Sequence, residues 1–182
     1  LRSQALPEIV RDINKLSNNV MAQQLFLTLG ASQRGAGTPE AAREVVRQWL
    51  RGRAGNAAAA SVIVNGSGLS REGRLSARTF AALLQSAWTS PVMSELMSSL
   101  PVAGIDGTLR RYKGGPGRAH LKTGSLKDVV GIAGYVLGDS GRRYVVVGIV
   151  NHPNAARAQG ALDALVQWTY RNAASYDPRK TR

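Results

Sequence analysis

Two short polar segments of the chain contain side chains that could hold and act on a small acidic ligand. The first is Lys122-Thr123-Gly124, followed by Ser125, at the end of a predicted strand. A lysine at a strand end can bind a carboxylate, the threonine hydroxyl adds a hydrogen-bond donor, and the glycine lets a ligand approach the backbone closely. Taken alone, the same residues also fit a strand that ends in an ordinary turn.

The second segment, Ser17-Asn18-Asn19, lies between two apolar runs of helical periodicity. Polar residues between two helices usually cap the second helix, because their side chains accept hydrogen bonds from its unpaired amides. A helix cap is therefore the simplest interpretation of this segment by itself. A functional interpretation arises only from its combination with Lys122-Thr123-Gly124 further along the chain.

The composition excludes several kinds of site. The 182 residues include no cysteine, which excludes disulfides, cysteine-ligated zinc, iron–sulfur clusters and thiol nucleophiles. The two histidines, His120 and His152, argue against a three-histidine zinc site and a Ser-His-Asp triad.

The formal net charge of +13 is distributed over both halves of the chain. There is no dense run of lysine and arginine, and the aromatic residues do not alternate with the cations, so a nucleic-acid partner is not expected. Contact with an anionic polymer or a membrane surface fits this diffuse charge better. No apolar stretch approaches the ~20 residues needed to span a bilayer.

The elements that must position the two polar segments change in character along the chain. Helical periodicity and capping signals dominate residues 6–100, whereas residues 118–173 are predicted to form a sheet and a closing helix. Three segments there alternate as strands do: 118–124, 129–137 and 143–151. Helices followed by an antiparallel sheet and a last helix predict an α+β fold.

Four finer predictions concern burial and boundaries. Residues 61–64 are expected to form a short buried strand, and residues 101–117, with their glycines and prolines, a long surface loop. Trp168 is expected to face inward from the closing helix, and Gly30 to end the helix that begins near Val20.

Four segments occur in an order that resembles the penicillin-recognising serine enzymes. Ser-x-Asn at 17–19 and Lys-Thr-Gly at 122–124 are two of the three motifs of that group. Residues 65–71 (NGSGLSR) and 100–109 (LPVAGIDGTL) resemble signatures of one branch, the class C low-molecular-mass penicillin-binding proteins, which are D-alanyl-D-alanine carboxypeptidase/endopeptidases. That branch usually has aspartate where this chain has Asn65. The resemblance extends over most of the chain.

The resemblance implies a periplasmic serine enzyme that acts on peptidoglycan stem peptides through an acyl-enzyme and is a target of β-lactams. Ser17 would then relay a proton toward the leaving amine. Asn19 would hydrogen-bond the catalytic lysine and the acyl-side amide of the substrate. The resemblance implies neither a metal nor an organic cofactor. A peripheral contact with the membrane is a further expectation.

The resemblance also implies roles for the downstream segment. Lys122 and Thr123 would bind the carboxylate of the terminal D-Ala, or the corresponding carboxylate of a β-lactam. Gly124 would belong to the same substrate-binding surface, and the backbone N–H of Ser125 would donate a hydrogen bond to the oxyanion.

The third motif of the group, the nucleophilic Ser-x-x-Lys, does not occur in the sequence, since no lysine has a serine three positions before it. We therefore expect residues 1–182 to be the C-terminal portion of a transpeptidase-like catalytic domain that lacks its N-terminal helix and strands. The N-terminal half of the same protein would supply the nucleophile and a neighbour for the strand at 143–151. The alternative is a non-catalytic relative that binds peptidoglycan peptides, and a nucleic-acid-binding module is the least favoured interpretation.

Overall fold

The computed structural model describes residues 3–172. The chain forms two compact units, Leu1–Ser99 and Leu100–Arg182. The described residues of the first unit are mainly helical, and those of the second contain a β-sheet with a helix that follows it.

The described part of the first unit has five α-helices: α1 (Leu6–Leu16), α2 (Asn19–Arg34), α3 (Pro39–Ala54), α4 (Ala77–Trp88) and α5 (Met93–Ser99). A 3₁₀ turn, Gly55–Ala58, follows α3. Local sequence explains where these helices begin. Pro7 fits the first turn of α1, and the side chains of Thr38 and Ser76 cap α3 and α4 by accepting hydrogen bonds from backbone amides.

Two predictions for this unit are wrong. Gly30 does not end α2, which continues through it for another turn. The glycine instead allows close packing, because a Cβ there would lie 2.9 Å from the backbone nitrogen of Ala42 on α3. Residues 61–64 are not a buried strand, since an isolated bridge joins Val62 to Arg74 and Val62 is 43% exposed.

The described part of the second unit contains an antiparallel sheet in the order β1-β2-β3: β1 (Ala119–Leu126), β2 (Val129–Leu137) and β3 (Arg143–Asn151). It is followed by a 3₁₀ turn (Ala155–Ala158) and by α6 (Gln159–Asn172). Ile132 and Val146 lie on one face of the sheet and are buried with Leu162 and Val166 of α6. The sheet and α6 therefore share one hydrophobic core.

Two burial predictions for the second unit are also wrong. Residues 101–117 are not a surface loop throughout, because Ala103 is fully buried and Leu109 is 3% exposed in the core of the sheet. A short 3₁₀ turn, Gly107–Leu109, lies within this segment. Trp168 is 55% exposed, so it does not face inward from α6 as predicted.

The predicted α+β class is confirmed, and the three strands lie close to their predicted positions. The assignment of residues 1–182 to one catalytic domain stays a prediction. Within residues 3–172, no helix is both long and apolar enough to cross a bilayer.

Candidate active site

The corner between α1 and α2 contains Ser17 and Asn19. Asn18 is the N-cap of α2, and its Oδ1 accepts a hydrogen bond from the backbone N–H of Met21 at 3.1 Å. Asn19 is the first residue of the helix and is exposed to solvent. Asn18 therefore caps the start of α2, and Ser17 is the C-cap of α1, with its backbone N–H donating to the carbonyl of Ile13. Capping does not account for Asn19.

Ser17 adopts a left-handed backbone conformation, with φ 53° and ψ 46°. Among the described residues, Asp128 is the other non-glycine residue with a positive φ. This conformation costs a serine roughly 1–2 kcal/mol. The conformation is that of a left-handed helix C-cap, in which the backbone N–H of Ser17 and that of Asn18 both donate to the carbonyl of Ile13. Here Asn14 ties α1 to α5 through a 2.8 Å hydrogen bond from its Nδ2 to Ser99 Oγ.

The loop at 65–71 packs directly on α2. The backbone N–H of Gly66 donates to Gln23 Oε1 at 2.9 Å, and a Cβ at Gly66 would overlap the side chain of Phe26. Gln23 lies one helical turn after Asn19, on the same face of α2. The loop therefore lies along the helix face that Asn19 begins.

Asn65 closes this loop with its side-chain amide. Its Oδ1 accepts from the backbone N–H of Gly68 at 2.8 Å, and its Nδ2 donates to the carbonyl of Leu69 at 3.1 Å. An aspartate could make the first bond but could not donate the second. Asn65, which stands where the resembling branch usually has aspartate, thus has a structural role in closing this loop.

Lys122 lies in the middle of β1, opposite Ala133 of β2. Since opposite residues share a face, its side chain lies on the face of the sheet away from Ile132 and the core. Its Nζ donates to the carbonyl of Thr123 at 3.0 Å, and burial lowers the pKa of Lys122 below its ordinary value. A carboxylate ligand would favour the charged form of this amine.

Gly124 leaves the same face of β1 open. It lies opposite Gly131, so neither strand carries a side chain at this step of the ladder. A Cβ at Gly124 would have no atom within 4 Å. A ligand can therefore contact the backbone of β1 here.

The outer edge of β1 is covered along its first half only. The amide of Leu121 donates to the carbonyl of Pro101, and the amide of Ala103 donates to the carbonyl of Ala119, both at 2.9 Å. Alternate residues of a strand direct their backbone polar groups to the same edge, so those of Thr123 and Ser125 also lie on this edge. Among residues 3–172, no backbone group outside the sheet hydrogen-bonds to the outer edge of β1 beyond Leu121.

The structure thus arranges the six predicted site residues as two groups. Ser17 and Asn19 flank the cap at the α1–α2 corner of the first unit, and Lys122–Ser125 are consecutive on β1 of the second. The pairing of Pro101–Ala103 with β1 was missed, because glycine and proline content indicated a loop. In the described residues, no cluster of three or more acidic or histidine side chains could hold a metal.

Comparison with known proteins decides the family. The family model described as D-Ala-D-Ala carboxypeptidase 3 (S13) matches residues 1–172. The chain belongs to this family. A D-alanyl-D-alanine carboxypeptidase of Actinomadura sp. (strain R39) is 36% identical over 164 residues, which are 86% of this chain and 30% of that protein. The chain therefore spans about a third of the length of this S13 relative.

Solved structures of similar fold agree with the S13 assignment. Penicillin binding protein 4 (dacB) of Haemophilus influenzae, complexed with a β-lactam, has a TM-score of 0.74 and 25% identity, over 91% of this chain and 40% of that chain. The predatory peptidoglycan endopeptidase Bd3459 of Bdellovibrio bacteriovorus has a TM-score of 0.68 and 22% identity, over 95% and 44% of the two chains, which shows a shared fold. The predicted penicillin-binding-protein fold is confirmed.

Proposed function

We propose that the complete protein is a serine-type D-Ala-D-Ala carboxypeptidase/endopeptidase that cleaves peptidoglycan stem peptides through an acyl-enzyme. The observation that carries the proposal is the segment Lys122–Ser125, where a half-buried lysine, an unobstructed glycine and an open backbone edge are adjacent on one strand. Membership of the S13 family supports this interpretation.

The edge of β1 suits an extended peptide that ends in a carboxylate. Such a peptide can pair with the backbone groups of Thr123 and Ser125 as an added strand. Lys122 and Thr123 start from opposite faces of β1, since Thr123 lies opposite Ile132, and both reach the strand edge, where they bind the carboxylate of the terminal D-Ala with charge-assisted hydrogen bonds. The backbone N–H of Ser125 donates to the oxyanion that forms when the scissile carbonyl is attacked. β-Lactams carry a carboxylate and a reactive carbonyl and take the same positions.

Ser17 and Asn19 serve the leaving group and the acyl side of the substrate. As the peptide C–N bond breaks, the departing D-Ala nitrogen needs a proton, which Ser17 relays from the catalytic lysine. Asn19 holds that lysine and the acyl-side amide. Water then hydrolyses the ester and returns the serine.

The nucleophile belongs to a Ser-x-x-Lys motif outside these 182 residues, because the sequence contains none. We place it in an N-terminal half of the same protein, which also supplies a neighbour for the outer edge of β3. In the described residues β3 pairs with β2 on one side, so its other edge can accept a strand.

The site acts in the bacterial periplasm, where stem peptides are exposed, and any membrane contact is peripheral. Similarity to a bacterial D-alanyl-D-alanine carboxypeptidase and to a penicillin binding protein complexed with a β-lactam supports this proposal. Neither a metal nor an organic cofactor takes part in the chemistry.

A non-catalytic relative that binds peptidoglycan peptides is the second candidate, favoured by the absence of Ser-x-x-Lys from the chain. Incubation of the complete protein with a stem peptide ending in D-Ala-D-Ala separates the two. The proposed enzyme releases D-alanine, and penicillin blocks the release. Stoichiometric peptide binding without D-alanine release would establish the non-catalytic role instead.

A further inference from the structure

Several cations come together at one end of the sheet in the second unit. The last amide of β2 donates to the carbonyl of Arg118 at 2.8 Å, and the next two amides donate to the carbonyls of Arg142 at 2.8 Å and Tyr170 at 2.9 Å. Arg143 begins β3 beside Arg142, and Arg171 follows Tyr170 in the last turn of α6. The starts of β1 and β3 and the end of α6 therefore meet here.

A fifth cation, Lys113, lies on the loop that packs against Tyr170, since a Cβ at Gly115 would be 3.7 Å from that ring. All five side chains are exposed. We call this set the basic end: Lys113, Arg118, Arg142, Arg143 and Arg171. Asp139 Oδ1 lies 3.5 Å from Arg118 Nη1, and the Arg118 guanidinium lies 5.6 Å from the centroid of the Tyr170 ring. Asp139 therefore offsets part of the charge of Arg118.

The basic end is distant from the carboxylate-binding segment on the same strand. Arg118 precedes β1, and Ser125 lies seven positions later. At a rise of about 3.3 Å per residue, the two are roughly 20 Å apart. A ligand at the basic end leaves the edge at Thr123–Ser125 unoccupied.

We propose that the basic end binds a soluble, phosphodiester-linked polyanion. This contact holds the enzyme on the polymer while its β1 edge stays accessible. Four of the five cations are arginines, whose planar guanidinium groups bind phosphate oxygens in pairs. The five cations come from four places in the chain, with Arg142 and Arg143 adjacent, and this spread suits successive phosphates of one polymer. Binding to a bilayer surface is strengthened by apolar groups that insert beside the cations, whereas the aromatic ring at the basic end, Tyr170, is covered by Arg118.

The test measures binding of the complete enzyme to poly(glycerol phosphate) across about 50–200 mM salt, the range in which counterion release changes affinity steeply. The triple variant Lys113→Gln/Arg142→Gln/Arg171→Gln removes three exposed charges. The matched control, Arg47→Gln/Arg51→Gln/Arg53→Gln, removes three exposed charges from α3 in the other unit. Neither variant touches the residues assigned to the chemistry.

We expect the basic-end variant to bind the polymer at least about tenfold more weakly than the parent. The slope of log affinity against log salt concentration should be smaller in magnitude by about 2, near 0.7 for each lost cation. The control should stay within about twofold of the parent, a change smaller than one phosphate contact would cause. β-Lactam acylation should be equal in all three proteins. Equal losses in both variants, no loss in either, or retention on anionic vesicles without polymer binding would each overturn the proposal. The outcome is independent of D-alanine release, which tests the proposed chemistry separately.

Discussion

Replacing Gly124 by alanine separates the stability of β1 from its use as a binding surface. A Cβ at this position has no atom within 4 Å, and the backbone φ is not in the left-handed region. Glycine inside a strand costs roughly 0.5–1 kcal/mol relative to alanine, because it loses more backbone freedom on folding. Gly124→Ala should therefore fold as stably as the parent or slightly more so.

The same methyl group occupies the space through which a ligand would reach the backbone of β1. A β-lactam in contact with the Gly124 Cα would have to shift, and an extra methylene in a fitted contact costs about 1–3 kcal/mol. If this cost falls on the transition state, acylation slows by roughly 5- to 150-fold. The melting temperature and the acylation rate should thus change in opposite directions.

The assay is stopped-flow acylation of the complete enzyme by a fluorescent penicillin, with Tm measured by calorimetry. Gly160→Ala on α6 is the matched control, because a Cβ at Gly160 also has no atom within 4 Å. We expect Gly160→Ala to acylate at the parental rate. A Gly124→Ala enzyme that acylates as fast as the parent would show that no ligand approaches this part of β1.

Three further variants test individual roles. Lys122→Ala should slow acylation about 10- to 100-fold, because it removes a charge-assisted contact worth roughly 1.5–3 kcal/mol. The control Lys127→Ala, on the exposed turn, should acylate at the parental rate. Equal acylation rates for the two variants would remove Lys122 from the site. Ser17→Ala should lower turnover roughly 10²-fold with a nearly unchanged Tm, as expected for a proton relay. Asn18→Ala should instead cost about 1 kcal/mol of stability and keep the parental turnover, as expected for a helix cap. A Ser17→Ala enzyme that loses stability but keeps its turnover would make Ser17 a structural residue. Because burial lowers the pKa of Lys122, its charge and the carboxylate affinity are lost at lower pH than for an ordinary lysine. Lys122→Arg should extend β-lactam binding to higher pH. A profile of β-lactam affinity against pH that falls at the same alkaline pH as in the parent would contradict this.

The strands could be predicted from local sequence, whereas the roles given to the site residues stay predictions. β2 and β3 alternate apolar residues that face one core, and Gly138–Gly141 supplies the turn between them, so periodicity and turn residues agree. Lys122, Thr123 and Gly124 lie in the predicted strand 118–124, whereas β1 continues past that boundary to Leu126 and so also includes Ser125. Their roles came from the order of motifs along the chain, which no single segment could provide.

Tertiary packing decided what local sequence could not. Gly30 looks like a helix stop, but it is a packing contact between α2 and α3, which only the neighbouring helix reveals. Pro101 and Ala103 cover the first half of the β1 edge through long-range hydrogen bonds, and glycine and proline content carries no signal for such pairing. That missed pairing defines where the open edge begins, and so where an extended ligand can bind.

The central claim is that this chain binds the substrate for a serine nucleophile that lies outside it. The most direct test is to label the complete protein with penicillin, digest it and map the adduct by mass spectrometry, with the isolated 182-residue chain as the comparison. We predict one adduct per complete protein, on a serine of a Ser-x-x-Lys motif outside these residues, and none on the isolated chain. A stoichiometric adduct on a serine within the 182 residues, or no adduct on the complete protein, would contradict the account.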